Sequence, residues 1–328
     1  MMRNKPPASN KNEKYWKDAR EVKLLVIGDL HGRKPRIHFK NFDAIICVGD
    51  VASDKEFKTY VALWKKHLKN KDWISFDDFL NEKFGKRKLR ELENRSIEVG
   101  NKVLRFLDKF NKPVFFVPGN WDQSGGETRI KEENINKSHY NYFKSFLDYY
   151  LGDELNAKLT KGVKNLRDCQ FKLHTFGNLN FIGYGLSSAP EKPLLNKKRF
   201  KFSDEELRKL ERVYQKILGK LEKAYSKRNK NFATIFISHN VPYKTKLDVI
   251  KDKESDTYGK HYGSTIAREF IVKRKPLLCA SGHMHEHFGK DKIGKTLVLN
   301  AGFGPDKNIL VKIDTAKKKI KNMRFHHA

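Results

Sequence analysis

The sequence predicts an α/β fold whose binding crevice lies at the carboxyl ends of adjacent strands. Three observations predict it. Five apolar runs, Leu24–Ile27, Ala44–Val48, Val114–Val117, Ala233–Ile237 and Leu277–Ala280, are continuous rather than alternating, as strands covered on both faces are. Each run ends in a short polar cluster: Gly28-Asp29-Leu30-His31, Gly49-Asp50, Gly119-Asn120-Trp121-Asp122, Ser238-His239 and Gly282-His283-Met284-His285. Stretches with helical spacing lie between the runs. Side chains carried at the carboxyl ends of neighbouring strands converge on one crevice, where open α/β sheets bind ligands.

Taken in order, residues 1–20 are basic, contain Pro6-Pro7, and are predicted to form a flexible N-terminal segment. Residues 21–328 are predicted to form a single domain, because the polar clusters span nearly the whole chain and any cut would divide them. The stretch from Lys55 to Phe110 is too long for an ordinary connection, so an insertion is expected over about residues 55–110. Leu89, Leu92, Ser96, Val99, Val103, Phe106 and Phe110 recur there at three- and four-residue spacing, an amphipathic helix that ends before Pro113. A second insertion is expected over about 123–165. It opens at Gly125-Gly126 and carries Tyr140, Tyr142, Phe143, Phe146, Tyr149 and Tyr150 beside Lys137 and Lys144. Aromatic rings interleaved with Lys can stack bases while the charges follow a phosphate backbone, although such a stripe more often packs a helix onto a core. Phe171–Thr175 and Leu179–Tyr184 flank a short turn and predict a β-hairpin. Ser203 and Glu206 have capping-box spacing ahead of a helix with Leu207, Leu210, Tyr214, Ile217, Leu221 and Tyr225 on one face. A short helix is expected from near Ser264. Strands are expected at Thr296–Leu299, Asn308–Ile313 and Lys319–Phe325.

Composition narrows the function classes. No apolar run approaches the roughly 18 residues of a membrane helix, and the polar N-terminus lacks the apolar core of a secretory signal. Cys47, Cys169 and Cys279 are odd in number, and two fall in predicted core strands. Buried free thiols in a reducing, cytoplasmic compartment account for them better than a disulfide framework. The 69 basic residues against 39 acidic ones give a formal charge of +30. A field of that sign draws polyanions, so nucleotides or nucleic acids are expected partners. Solvated Lys faces on long helices are the competing explanation.

The five clusters supply Asp29, His31, Asp50, Asn120, His239, His283 and His285. Together they provide oxygen and nitrogen ligands for a pair of divalent metals. Mixed imidazole and carboxylate donors suit Mn, Fe, Zn or Ni better than Ca or Mg, which prefer oxygen alone. A bridging carboxylate can hold two cations about 3.5–4 Å apart, and a water between them is acidified toward neutrality and can attack phosphorus.

The five blocks, in this order over residues 29 to 285, resemble the calcineurin-like metallophosphoesterase superfamily. The resemblance implies a four-layer sandwich of two mixed β-sheets flanked by helices. It also implies Asp29, His31 and His285 on one metal, Asn120, His239 and His283 on the other, and Asp50 bridging both. Asp50, Asn120 and His239 would then serve catalysis by holding the ions and positioning a phosphoryl oxygen. The sequence departs from the family pattern in two places. Where most members carry a His that protonates the leaving oxygen, this chain has Trp121, whose indole has no titratable proton to give; members lacking that His resemble phosphodiesterases. After Asp50, residues 51–55 lack the phosphate-binding Arg of the protein Ser/Thr phosphatases, which sets that subfamily aside. A phosphodiesterase on nucleotide or nucleic-acid diesters is therefore expected, with a small-metabolite phosphomonoesterase or a binding scaffold as alternatives. His261 is a candidate for the missing acid. The Gly263 and Ser264 amides are candidates for phosphate binding at a helix N-terminus, and Arg33 for a phosphate contact.

Overall fold

The computed structural model describes residues 20–70, 74, 76–122, 157–195, 202–255 and 257–327. The predicted N-terminal segment, apart from Arg20, and most of the predicted second insertion, with its aromatic stripe, lie outside the described residues.

Two six-stranded mixed sheets form the centre. In the first, β1 (Glu21–Ile27), β2 (Ala44–Cys47), β3 (Val114–Phe116) and β4 (Leu166–Asp168) run parallel. In the second, β5 (His174–Phe176) pairs antiparallel with β6 (Leu179–Tyr184), which continues parallel through β7 (Ala233–Asn240) to β8 (Leu278–Gly282). Next to β8 lies β10 (Thr296–Asn300), with β9 (Gly289–Ile293) antiparallel at its outer side. The chain then returns to the first sheet, where β11 (Asn308–Asp314) pairs antiparallel with β1 and β12 (Lys319–His326) with β11.

The sequence dictates this layering through period-2 alternation within apolar runs. Leu24 and Val26 of β1 face the core between the sheets, together with Ala44 and Ile46 of β2 and Ile235 and Ile237 of β7. The intervening Leu25, Ile27, Ile45 and Cys47 point outward to the helices over the first sheet. Phe115 and Phe181 stack across the inter-sheet core, 3.8 Å between centroids. The outer face of the second sheet is covered by α4 (Asp204–Ser226) and α5 (Thr265–Arg274). Over the first sheet lie α2 (Phe76–Asp108) and the short α3 (Ala157–Thr160), with α1 (Lys58–Asn70) packed on α2.

Where periodicity was strong, the expected elements are present. The capping box forms as expected, with Ser203 N donating to Glu206 Oε2 at 2.8 Å and Glu206 N to Ser203 Oγ at 3.2 Å. Helix α2 starts well before Leu89 and is broken at Gly85, which sits at φ 76° where an L side chain would be strained. Phe171–Leu173 stand outside the hairpin strand, and Phe171 itself turns at φ 53°. The three cysteines are free and buried.

Candidate metal centre

All seven predicted ligands meet at the carboxyl ends of the strands. Asp29 and His31 leave β1, Asp50 leaves β2, Asn120 follows β3, His239 lies near the end of β7, and His283 and His285 follow β8. His31, Asp50 and His283 all have left-handed backbones, at φ 45°, 50° and 66°, a strain that concentrates at functional sites. The glycines of the motifs have steric reasons. A Cβ on Gly119 would lie 2.0 Å from Asp50 Oδ1, and one on Gly282 would lie 2.6 Å from Asp29 Oδ1.

Two three-residue groups, His31–Asp50–His285 and Asp50–His239–His283, hold their donor atoms close enough to share an ion, and Asp50 belongs to both. Its Oδ2 lies 3.4 Å from His31 Nε2 and 3.5 Å from His239 Nε2. Asn120 Oδ1 lies 2.9 Å from His239 Nε2, and His31 Nε2 lies 3.3 Å from His285 Nε2. Asp29 stands 3.6 Å from His285 Nε2, but towards His239 it faces Nδ1, at 3.8 Å.

The ring orientations are set from behind. The Val48 carbonyl meets His239 Nδ1 at 2.9 Å and the Ser188 carbonyl meets His283 Nε2 at 3.1 Å. A carbonyl only accepts, so each of those nitrogens carries its proton there. His239 Nε2 is thereby turned toward Asp50 and Asn120, and Nδ1 is left as the ring nitrogen with which His283 can join the cluster, the arrangement that metal-binding imidazoles use.

The electrostatics fit cations. Burial holds the His283 imidazole down to about 3 and that of His285 down to about 4, so both are neutral donors. Burial also works against charge on His239, but the Asp50 and Asp29 carboxylates outweigh it and push its pKa up to about 9. Burial would raise Asp50, yet the surrounding imidazoles hold it below the usual carboxylate range. Burial raises Asp29 well above that range. Asp29 Oδ1 and His31 Nδ1 are buried polar atoms without a hydrogen bond. His31 Nδ1 faces Asp54 behind the ring, whereas the carboxylates, the inward imidazole nitrogens and the unsatisfied Asp29 Oδ1 together form a site suited to divalent ions.

The family model for calcineurin-like phosphoesterases matches residues 22–287. The chain belongs to the calcineurin-like phosphoesterase family. It is 32% identical over 285 residues to an uncharacterized protein of Methanocaldococcus jannaschii, covering 85% of this chain and 87% of that one. One solved structure aligns with a TM-score of 0.54 at 17% identity, over 93% of this chain and 98% of its own. The TT1561 protein of Thermus thermophilus aligns at 0.43 and 13% identity, over 92% and 98%. The two mixed sheets flanked by helices are the fold of this family, and its chemistry is metal-dependent phosphoester hydrolysis.

Within this phosphoesterase, Trp121 packs away from acid chemistry. Its ring meets Phe57 and Phe76 at 5.7 and 6.4 Å and stands edge-on to His31 at 6.1 Å. Arg33 donates to the Leu30 and His31 carbonyls and lies over the Phe303 ring at 4.9 Å. His261 Nδ1 is 2.7 Å from the buried Asp248, while the side chain remains 37% exposed.

The expected phosphate cradle at Gly263 and Ser264 is corrected. Gly263 N donates to Asp248 Oδ2 at 3.0 Å, Ser264 N donates to the Val241 carbonyl at 2.7 Å, and Ser264 is fully buried. Glu191 occupies the end of the helix instead, accepting Thr265 N at 2.7 Å. Sequence reasoning missed Glu191 and Asp248 as well as Asp54, which faces His31 Nδ1 at 3.5 Å. Asp54 carried a signal, since it lies four residues after Asp50; the other two lie in loops without periodicity.

Proposed function

We propose that this phosphoesterase is a dinuclear phosphodiesterase acting on nucleotide or nucleic-acid diesters. The observation that carries this reading is Trp121 beside His31, at the position where the family pattern has an acid, next to two ligand groups that share Asp50. Losing a general acid costs roughly 10²–10⁴-fold when the leaving group needs a proton. The loss matters least for good leaving groups, which nucleotide diesters can offer. The +30 charge favours polyanionic substrates in the same direction.

In this reading Asp29, His31 and His285 would hold one divalent ion, Asn120, His239 and His283 the other, and Asp50 would serve both. When bound, such ions supply Lewis acidity and an acidified water; Mn, Fe, Zn and Ni suit this donor set. The protein's own part is positional. The Trp121 amide holds Asp50 Oδ1 at 2.8 Å, which leaves Oδ2 to the imidazoles. Asn120 and His239 orient a phosphoryl oxygen, and Arg33 offers a guanidinium at the rim. Residues 21–328 are read as one catalytic domain, because its ligands come from both sheets. A cytoplasmic location is supported by three unpaired buried thiols; among the described residues no helix is long and apolar enough to cross a membrane.

The Asp248–His261 pair favours a second reading. A carboxylate-oriented imidazole can deliver a proton, which would restore monoester hydrolysis. The test is hydrolysis of bis-p-nitrophenyl phosphate beside p-nitrophenyl phosphate by Mn²⁺-reconstituted protein, with Asp50→Asn as the blank. A higher kcat/KM for the diester is expected. Preference for the monoester, abolished by His261→Ala, would establish the second reading.

A further inference from the structure

Glu191 is 1% exposed, and its carboxylate is saturated with donors. Oε1 accepts from Ser187 Oγ at 2.6 Å, Ser264 Oγ at 2.7 Å and Tyr184 OH at 3.3 Å. Oε2 accepts from Thr265 N at 2.7 Å, Thr265 Oγ1 at 3.0 Å and Ile266 N at 3.3 Å. A carboxylate in the first turn of α5 is favoured by the helix dipole. The family motifs do not include it.

Its importance comes from the strap it anchors. Residues 185–191 leave β6, pass beside Pro118 and His283, and bring the Glu191 carboxylate to the first turn of α5. Near the strap's start, Leu186 N donates to the Pro118 carbonyl at 2.8 Å, two residues before Asn120. In its middle, the Ser188 carbonyl receives His283 Nε2 at 3.1 Å. At its end, Glu191 binds the Ser264 hydroxyl, and Ser264 N is bonded to Val241, two residues after His239. One carboxylate thus joins the strap under His283 to the exit of the strand that bears His239. The backbone of the other half is tied elsewhere, with Asp29 N bonded to Gly302 O at 3.1 Å and Gly304 N to Asp29 O at 2.9 Å; His283 N also donates to Asp29 Oδ2 at 2.5 Å, a link that does not run through the strap.

We infer that Glu191 is a positioning residue for the Asn120–His239–His283 half of the centre, fixing the Ser188 carbonyl that orients the His283 ring. The inference rests on the dinuclear reading above. Glu191→Gln keeps the side-chain volume but removes the charge and one acceptor oxygen: with its Oε1 on the Thr265 and Ile266 amides, its N–H₂ faces the Ser187, Ser264 and Tyr184 hydroxyls, which must turn from donating to accepting, so the strap's anchor is weakened. The selectivity is the distinguishing feature: one ion site weakens and the other does not.

The experiment is titration of chelator-treated apoprotein with Mn²⁺, counting bound ions, with Co²⁺ visible spectra as a second readout of ligand geometry. Wild type should bind two ions. Glu191→Gln should bind one with wild-type affinity and the second about 10–100-fold more weakly, as loss of an outer-shell partner does, and should alter one of two Co²⁺ spectral components. Two ions at wild-type affinity, or equal weakening of both, would overturn the inference. Should Glu191→Gln not fold, Ser264→Ala removes a single donor to the carboxylate; it should weaken the same site by a smaller factor, and unchanged binding of both ions would overturn the assignment. Wild-type protein binding fewer than two ions would overturn the dinuclear reading itself, and with it this inference.

Discussion

Asp50 and Asp122 each hold the other's loop. Asp50 Oδ1 accepts the Trp121 amide at 2.8 Å, and Asp122 Oδ1 accepts the Val51 and Ala52 amides at 2.9 and 2.8 Å. Asp122 Oδ2 also takes Gly119 N at 2.8 Å. Having no imidazole beside it in the sequence, Asp122 works through backbone amides and locks the Asp50 and Asn120 loops together. Burial and the nearby Asp50 push its carboxyl up to about 7.

Asp122→Ala leaves three buried amides without their acceptor. Each such loss costs about 1–3 kcal/mol, so the variant should unfold at distinctly lower urea concentration than wild type. It should also bind Mn²⁺ poorly even where folded. A native urea midpoint would show that the clasp carries no weight.

Asp50→Asn removes the shared charge. It should abolish high-affinity binding of both ions and about 99% or more of the activity, as expected for loss of a metal centre. Elemental analysis after gel filtration checks this, and retention of two ions would remove Asp50 from the bridging position.

Trp121→His places an imidazole where the family pattern has one. It should raise kcat/KM for phenyl phosphate by at least about 10-fold, toward the roughly 10²–10⁴-fold range of general acids. The effect on p-nitrophenyl phosphate should be much smaller, because that leaving group needs little protonation. Equal effects on both esters would show that the indole matters for packing alone, against Phe57 and Phe76.

Ser203→Ala tests the fold apart from the site. Removing the cap should cost about 1 kcal/mol, read as a lower urea midpoint, with kcat unchanged. A change in kcat would mean that α4 reaches the centre.

The strand ends that carry the candidate ligands were legible because strands covered on both faces must be continuously apolar, and the polar clusters interrupt those runs abruptly. Elements with weak patterns were not. β9 reads Gly-Lys-Asp-Lys-Ile and is half exposed, and β4 is three residues long. The Gly263-Ser264 expectation failed for a physical reason: a helix N-terminus can be recognised from its cap, but its amides are already taken by groups distant in the sequence, Gly263 N by Asp248, Ser264 N by the Val241 carbonyl, and Thr265 N by Glu191, more than seventy residues earlier. Asp122 was visible as an acid, while its amide partners near Asp50 became clear only when β2 and β3 were seen to be adjacent.

The proposed chemistry depends on a pair of cations sharing Asp50. Anomalous diffraction from crystals grown with Mn²⁺ tests it most directly. Two peaks are expected, one among Asp29, His31 and His285 and one among Asn120, His239 and His283, both in contact with Asp50. A single peak, or two peaks that do not share that carboxylate, would contradict it.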